Sequence, residues 1–247
     1  MFPLKDTIPA LRRPYVTWTL IGVNVLIFVV EWLLLRLDYQ LGIQQISGLD
    51  AFVFQYGFTP ARMTSAQYQE AFAKFFPGSP WVVVSWFSSL FLHGGWLHLL
   101  TNMWALWIFG DNVEDRMGHG YFLVFYVLSG LAGNLMHFMS GPFSKIPLVG
   151  ASGAIAGVMG AYLVLFPHSK ILTLFILIIF PYFVAIPAPL YLGFWFALQF
   201  FNGATSFLSQ NSDSVAYWAH IGGFLFGLLS FRWFLKSPAY GFRKEAP

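Results

Sequence analysis

Apolar positions fall in long continuous blocks along this chain, separated by short polar stretches. The first block covers residues 15–35 and follows Lys5, Arg12 and Arg13. The stretch after it, "LLLRLDYQLG", has no small-residue cleavage site, so the block reads as an uncleaved helix rather than a signal peptide. Residues 37–85 are mixed in character and carry Pro60, Pro77 and Pro80, which predicts a long outer loop with short amphipathic pieces. Further helical blocks are expected at residues 96–110, 121–139, 151–166, 189–201 and 216–235. The pattern predicts an all-α polytopic membrane protein, a six-helix bundle forming one membrane domain over residues 1–247.

Residues 171–188, "ILTLFILIIFPYFVAIPA", are apolar but ambiguous. Only about ten residues precede Pro181, too few to span a bilayer, and Pro181 and Pro187 both break a helix. Charge argues for six spans. With the N-terminus inside, Lys5, Arg12, Arg13, Arg116, Lys170, Arg232, Lys236, Arg243 and Lys244 face the inner side, against Arg36, Arg62, Lys74 and Lys145 outside. That asymmetry follows the positive-inside rule, and a seventh span would reverse it at the C-terminus. Residues 171–188 are therefore expected to form an apolar hairpin at the inner interface.

Composition agrees. The chain is 57% hydrophobic and 9% charged, against roughly 25% charged in soluble domains. It has no cysteine, which excludes disulfides, thiolate metal sites and a cysteine nucleophile. Its net charge of +3 carries no nucleic-acid signal.

Against this background a few polar residues stand out by depth. Ser152 lies fifteen residues before Pro167, roughly 22 Å along a helix. His220 lies sixteen residues before Lys236, roughly 24 Å. Asn102 lies fourteen residues before Arg116, roughly 21 Å. In six-span topology these three helices run in the same direction, so the three groups sit at one level, below the outer surface of a core about 30 Å thick. Polar groups placed there face the bundle interior or a wet cavity.

The segment leading to Ser152, "SGPFSKIPLVG", is irregular. Ser152 is thus expected in the first turn of a helix that begins below the surface, where free N–H groups and the dipole favour a developing oxyanion. His220 is the natural base for its hydroxyl. A serine among small residues is by itself more often packing material than a nucleophile. A histidine at matched depth shifts the balance toward catalysis. His98 and Asn102 share one helical face and are of the types that stabilise an oxyanion. His93, His98 and His220 raise a metal site as a second reading. The five-residue spacing and the absence of a nearby carboxylate or thiolate argue against it, and neither metal nor cofactor is expected. Gly153, Gly157 and Gly160, with Gly223 and Gly227, place small residues where two helices can approach closely. Gly48 reads as an unconstrained loop position.

Three segments, "HGGWLHLLTNMWALWIFGDNVEDRMG", "VGASGAIAG" and "AHIGGFLFG", resemble in order and spacing the signature segments of rhomboid intramembrane serine proteases. The resemblance covers roughly residues 85–235. It implies a Ser152–His220 dyad, an oxyanion hole from His98, Asn102 and the Ser152 N–H shaped by Gly150, and a fold-stabilising inner-end motif at Glu114 and Arg116. His93 matches the first histidine of the second-helix motif. The implied substrate is a single-span membrane protein with a small residue at the cut and a weak helix nearby, met in the bilayer; the compact chain points to a bacterial inner membrane.

Two departures stand out. Ala156 replaces an aromatic that often stacks on the catalytic histidine, which leaves another residue, Trp218 or Phe224, to orient His220, or leaves the ring more loosely held. The first loop lacks a Trp–Arg pair found in some members. Asp213, in the outer loop, reads as a solvated charge and not as a third catalytic member. The alternatives are a catalytically inactive rhomboid-like protein that binds membrane clients, and a transporter. Both Ser152 and His220 are present, which argues against the first. The apolar inner halves "YLVLF" and "FLFGLL" offer no polar path for the second.

Overall fold

The computed structural model describes residues 2–35, 37–41, 44–177, 180–209 and 216–236. Arg36, Asp213, Arg243 and Lys244 lie outside the described residues. In chain order the elements are β1 (Phe2–Asp6), α1 (Tyr15–Leu34), β2 (Asp38–Leu41), β3 (Gln44–Ser47), α2 (Gly48–Tyr56), α3 (Ala61–Thr64), α4 (Ala66–Phe75), α5 (Val82–Ser88), α6 (Trp96–Met117), α7 (His119–Ser140), α8 (Ser152–Leu165), β4 (Lys170–Leu177), β5 (Phe180–Pro187), α9 (Ala188–Ser209) and α10 (Tyr217–Ser230). One-turn 3₁₀ helices follow α5 and α10.

Helices α1, α6, α7, α8, α9 and α10 stand where the six apolar blocks predict them, with shifted ends. α6 continues to Met117 rather than stopping at Gly110, because Glu114 and Asp115 are buried against other elements. α9 runs on to Ser209, beyond the expected end at Phe201. Among the described residues, α1 and α7 are each long and apolar enough to cross a membrane. The pair Val82–Phe91 and Trp96–Met117, bent by 77°, passes the same test together, and α8 is a shorter apolar helix. Large apolar side chains on α1 and α7 point outward, among them Leu26, Val29, Leu33, Tyr121 and Val124. Such a belt exceeds what a soluble surface tolerates.

α8 is the centre of the molecule. Every residue from Gly153 to Tyr162 is buried, on all sides of the helix, as expected where other helices surround it. Its tightest partner is α10. A methyl group on Gly223 would collide with Gly153 O, and one on Gly227 with Gly157 O. A Cβ on Gly160 would likewise meet the Phe224 backbone. The two backbones are in contact, so these positions admit only glycine without movement.

The start of α1 is tied by Glu114, which is buried. Its carboxylate accepts from the backbone N–H groups of Val16 (2.9 Å) and Thr17 (2.8 Å), from Thr17 Oγ1 (2.7 Å) and from His119 Nδ1 (2.6 Å). α1 has Pro14 at its N-cap and no side-chain cap of its own. Glu114 therefore satisfies N–H groups that a helix start leaves open. The Arg116 guanidinium lies 4.9 Å over the Phe166 ring, tying the ends of α6 and α8.

The chain is mostly helical, where the sequence pattern predicts helices alone. Residues 171–188 do form a hairpin, but a β-hairpin: β4 pairs with β5 from Lys170↔Pro187 to Leu177↔Phe180. β1 adds to the other side of β4, Phe2↔Leu174 to Asp6↔Ile171, giving the order β1-β4-β5. Buried Ile171 and Thr173 face the core in the alternation of a strand. Pro3 and Pro181 sit on the edge strands, where a missing N–H is tolerated.

Between α1 and α6 the chain forms one packed region of short helices, α2 to α5, as the mixed pattern predicts. Arg62 is buried at its centre. Its guanidinium donates to Pro80 O (2.9 Å), Gln55 O (3.3 Å) and Gln69 Oε1 (3.3 Å) and stacks 4.1 Å over the Phe72 ring. One cation thus joins α2, α3, α4 and the approach to α5, in a loop without the Trp–Arg pair. Gly48 is not the unconstrained position expected: a Cβ there would lie 2.5 Å from Leu34 O, because α2 starts against the end of α1.

Candidate active site

The irregular segment before Ser152 is held by the region between α1 and α6. Phe58 and Leu148 exchange backbone hydrogen bonds (3.0 and 2.8 Å), Ala61 N donates to Ser144 O (2.9 Å), Thr64 Oγ1 donates to Pro142 O (2.7 Å), and Gly150 N donates to Ser89 O (2.8 Å). Non-helical backbone packed among helices needs such partners. Asn134, buried on α7, supports the same corner by donating to Trp86 O (2.8 Å).

Gly150 has φ of 128°, a conformation that disfavours any side chain. A Cβ there would also lie 2.8 Å from His98 Nε2 and 3.6 Å from Ser152 Oγ. The backbone thus turns sharply into α8 with His98 lying over the turn. Ser152 becomes the first residue of the helix, where N–H groups are free to meet an anion.

His220 on α10 faces it. Its Nε2 lies 2.8 Å from Ser152 Oγ. Its Nδ1 lies 2.8 Å from Gln199 Oε1 on α9. The ring next to it is Trp195, also on α9, with centroids 5.9 Å apart and planes tilted by 35°. This corrects the expectation for the aromatic missing at Ala156. The neighbouring ring comes from α9, not from Trp218, and Phe224 stands one layer away, stacked on Phe196 (4.7 Å) and 6.0 Å from Trp195.

Asn102 and His93 form a pair the sequence reading left open. Asn102 Nδ2 lies 3.0 Å from His93 Nε2. His93 is fully buried, and its backbone N–H donates to both carboxylate oxygens of Glu31 at 3.1 Å. α1 therefore holds His93 through Glu31, and His93 holds Asn102. The second hydrogen of the Asn102 amide remains available to a ligand. The His93 and His98 rings meet edge to face at 5.1 Å.

These groups line an open cavity of about 1260 Å³, whose walls include Trp96, His98, Asn102, Ser152, Trp195 and His220. It also reaches Phe2, Trp104 and Phe109. Phe2 stacks on Trp104 (5.6 Å), and Trp104 Nε1 donates to Pro3 O (2.6 Å), so strand β1 lies beside α6 at one part of the cavity wall.

Glu31, Trp195 and Gln199 escaped the sequence reading, although two carried a signal. An acidic residue inside an apolar span marks a site by default. Gln199 interrupts "FWFALQFF" four residues after Trp195, which puts the two on one face of a helix.

A rhomboid domain model matches residues 80–237, more than half of the chain. The chain belongs to the rhomboid family. It is 35% identical over 157 residues to the mitochondrial Rhomboid protein 1 of Saccharomyces cerevisiae, covering 62% of this chain and 42% of that protein. It is 33% identical over 174 residues to RHOMBOID-like protein 5 of Arabidopsis thaliana, covering 67% and 47%. Over 72 residues it is 46% identical to Rhomboid protease GluP of Bacillus subtilis, covering 29% and 14%. The chain thus spans less than half the length of these relatives. They include mitochondrial, plant and Bacillus proteins, so the expectation of a bacterial inner membrane finds no support in them.

Proposed function

We propose that this protein is an intramembrane serine endopeptidase that cuts single-span membrane proteins near the outer face of the bilayer. The observation that carries the reading is the 2.8 Å contact between Ser152 Oγ and His220 Nε2 at the head of a buried helix. Ser152 Oγ attacks the scissile carbonyl carbon as His220 Nε2 takes its proton. The carbonyl oxygen becomes an oxyanion, met by the Ser152 N–H, His98 and the free hydrogen of Asn102. The C–N bond then breaks and His220 returns the proton to the departing amine. A water, deprotonated by His220, releases the acyl group from Ser152. The topology that serves this chemistry has six spans, α1, α6, α7, α8, α9 and α10, with both termini inside and the cavity open to the outside. The β4–β5 hairpin then lies toward the inner side.

A fluorophosphonate, which phosphonylates activated serines, tests the reading without knowledge of the substrate. The purified chain in detergent should label at Ser152. Ser152→Ala and His220→Ala should each abolish labelling and cleavage of a model transmembrane substrate, while leaving the melting temperature within a few degrees. Because both act in one step, the double variant should be no worse than either single one. A folded His220→Ala protein that cleaves at the wild-type rate would eliminate the dyad.

A further inference from the structure

His220 is held by two side chains that do not belong to its own helix. Trp195 packs beside the ring and Gln199 Oε1 meets Nδ1 at 2.8 Å. Both come from α9, four residues apart. Among the described residues, Gln199 is the hydrogen-bond partner of Nδ1.

The chemistry of that contact is directional. A neutral imidazole carries one proton, on either Nδ1 or Nε2. Only the Nδ1–H form presents a lone pair at Nε2 to the Ser152 hydroxyl. The other form points an N–H at the nucleophile and cannot take its proton. A carbonyl oxygen at Nδ1 needs a hydrogen there, so it selects the productive form. It also fixes the ring plane relative to Ser152. A carboxylate would do the same, but an ionised group at this depth is expensive. A primary amide supplies the acceptor without a charge.

We propose that Gln199 is a positioning residue for the base, which makes α9 part of the catalytic apparatus. The inference rests on the serine-hydrolase reading above. During attack the proton passes from Ser152 Oγ to His220 Nε2, and Gln199 Oε1 continues to accept from Nδ1–H. No proton passes to Gln199. The competing role is a plain hydrogen bond between α9 and α10 that only holds the helices together.

The test compares the full chain with Gln199→Met, Gln199→Leu and Gln199→Glu in detergent. The readouts are the rate of Ser152 phosphonylation by a fluorophosphonate, the melting temperature, and the ¹⁵N shifts of the His220 ring, assigned by difference against His220→Ala. Loss of the acceptor in Gln199→Met and Gln199→Leu should slow labelling about tenfold, the scale of one hydrogen bond. Gln199→Glu, an acceptor at the same reach, should restore most of the rate even if its melting temperature falls. The ¹⁵N spectrum should show protonated Nδ1 and bare Nε2 in the wild type and in Gln199→Glu, and a mixture in Gln199→Met. Labelling of Gln199→Met or Gln199→Leu at or above the wild-type rate would overturn the proposal. So would a wild-type ring protonated at Nε2, a result that needs no variant to fold. An unlabelled wild-type chain would instead sink the hydrolase reading, because the tautomer spectrum reports the hold of Gln199 without any activity.

Discussion

Single side chains in this protein work through chains of contact. Glu31 fixes the His93 backbone, and His93 meets Asn102. Removing Asn102 or His98 should slow cleavage by about 10²–10³, the cost of one oxyanion donor, since the Ser152 N–H remains. Turnover rates of the single and double alanine variants check this, and an unchanged double variant removes both from the oxyanion hole. Asp6 is a different case. Its carboxylate accepts from Tyr162 OH (2.5 Å) and Asn112 Nδ2 (2.8 Å), and burial raises its pKa from 3.8 to about 6. A carboxyl whose pKa rises on folding stabilises while protonated. That contribution is complete below the ordinary value and is lost as pH climbs through about 6. Strand β1 should therefore be held more tightly at about pH 5 than at about pH 8. Hydrogen exchange of the β1 and β4 amides reads the difference, and Asp6→Asn should reduce it. The same pH dependence in the variant would clear Asp6.

Between elements, the α8–α10 contact decides whether Ser152 and His220 meet. Gly227→Ala places a methyl group against Gly157 O, so the helices must part. Overpacking of this kind costs about 1–3 kcal/mol, or roughly 3–10 °C in melting temperature. Activity should fall with it, because His220 rides on the displaced helix. Gly22→Ala is the fitting control: a Cβ on Gly22 meets nothing within 4 Å. That variant should melt at or slightly above the wild type, since alanine favours a helix over glycine. Equal melting temperatures for the two variants would contradict the backbone contact as the reason for glycine at 227.

For the whole molecule the question is depth and sidedness. The chain has no cysteine, so Ser152→Cys and Val164→Cys each create a single thiol. In proteoliposomes of known orientation, a small water-soluble reagent added outside should modify Ser152→Cys through the cavity of about 1260 Å³. A bulky charged reagent should react slowly, because the site is submerged. Val164→Cys should resist both, packed against the core in the apolar half of α8. Reaction of position 152 from the inner side alone would reverse the proposed orientation. Free reaction at 164 with none at 152 would mean that the cavity does not reach the serine.

The sequence by itself determined the helical blocks, the small residues of α8 and α10, and the choice of Ser152 and His220 as partners. These features are one-dimensional: block length measures membrane thickness, and distance along a helix measures depth. The break of helicity at 171–188 was legible for the same reason, since two prolines in an apolar run exclude a span. Only the tertiary structure decided what stands at the same depth on another element. Lys170 N donates to Thr7 Oγ1 across 163 residues, and nothing in either segment names the other. Arg62 reads as an outer charge until Phe72, Gln55 and Pro80 close around it. Trp195 and Gln199 reach His220, in place of the nearer Trp218, because α9 is rotated so that one face meets α10. Helix rotation is set by packing against every neighbour at once, and a polar residue such as Gln199 in an apolar run marks a face without saying which neighbour that face meets.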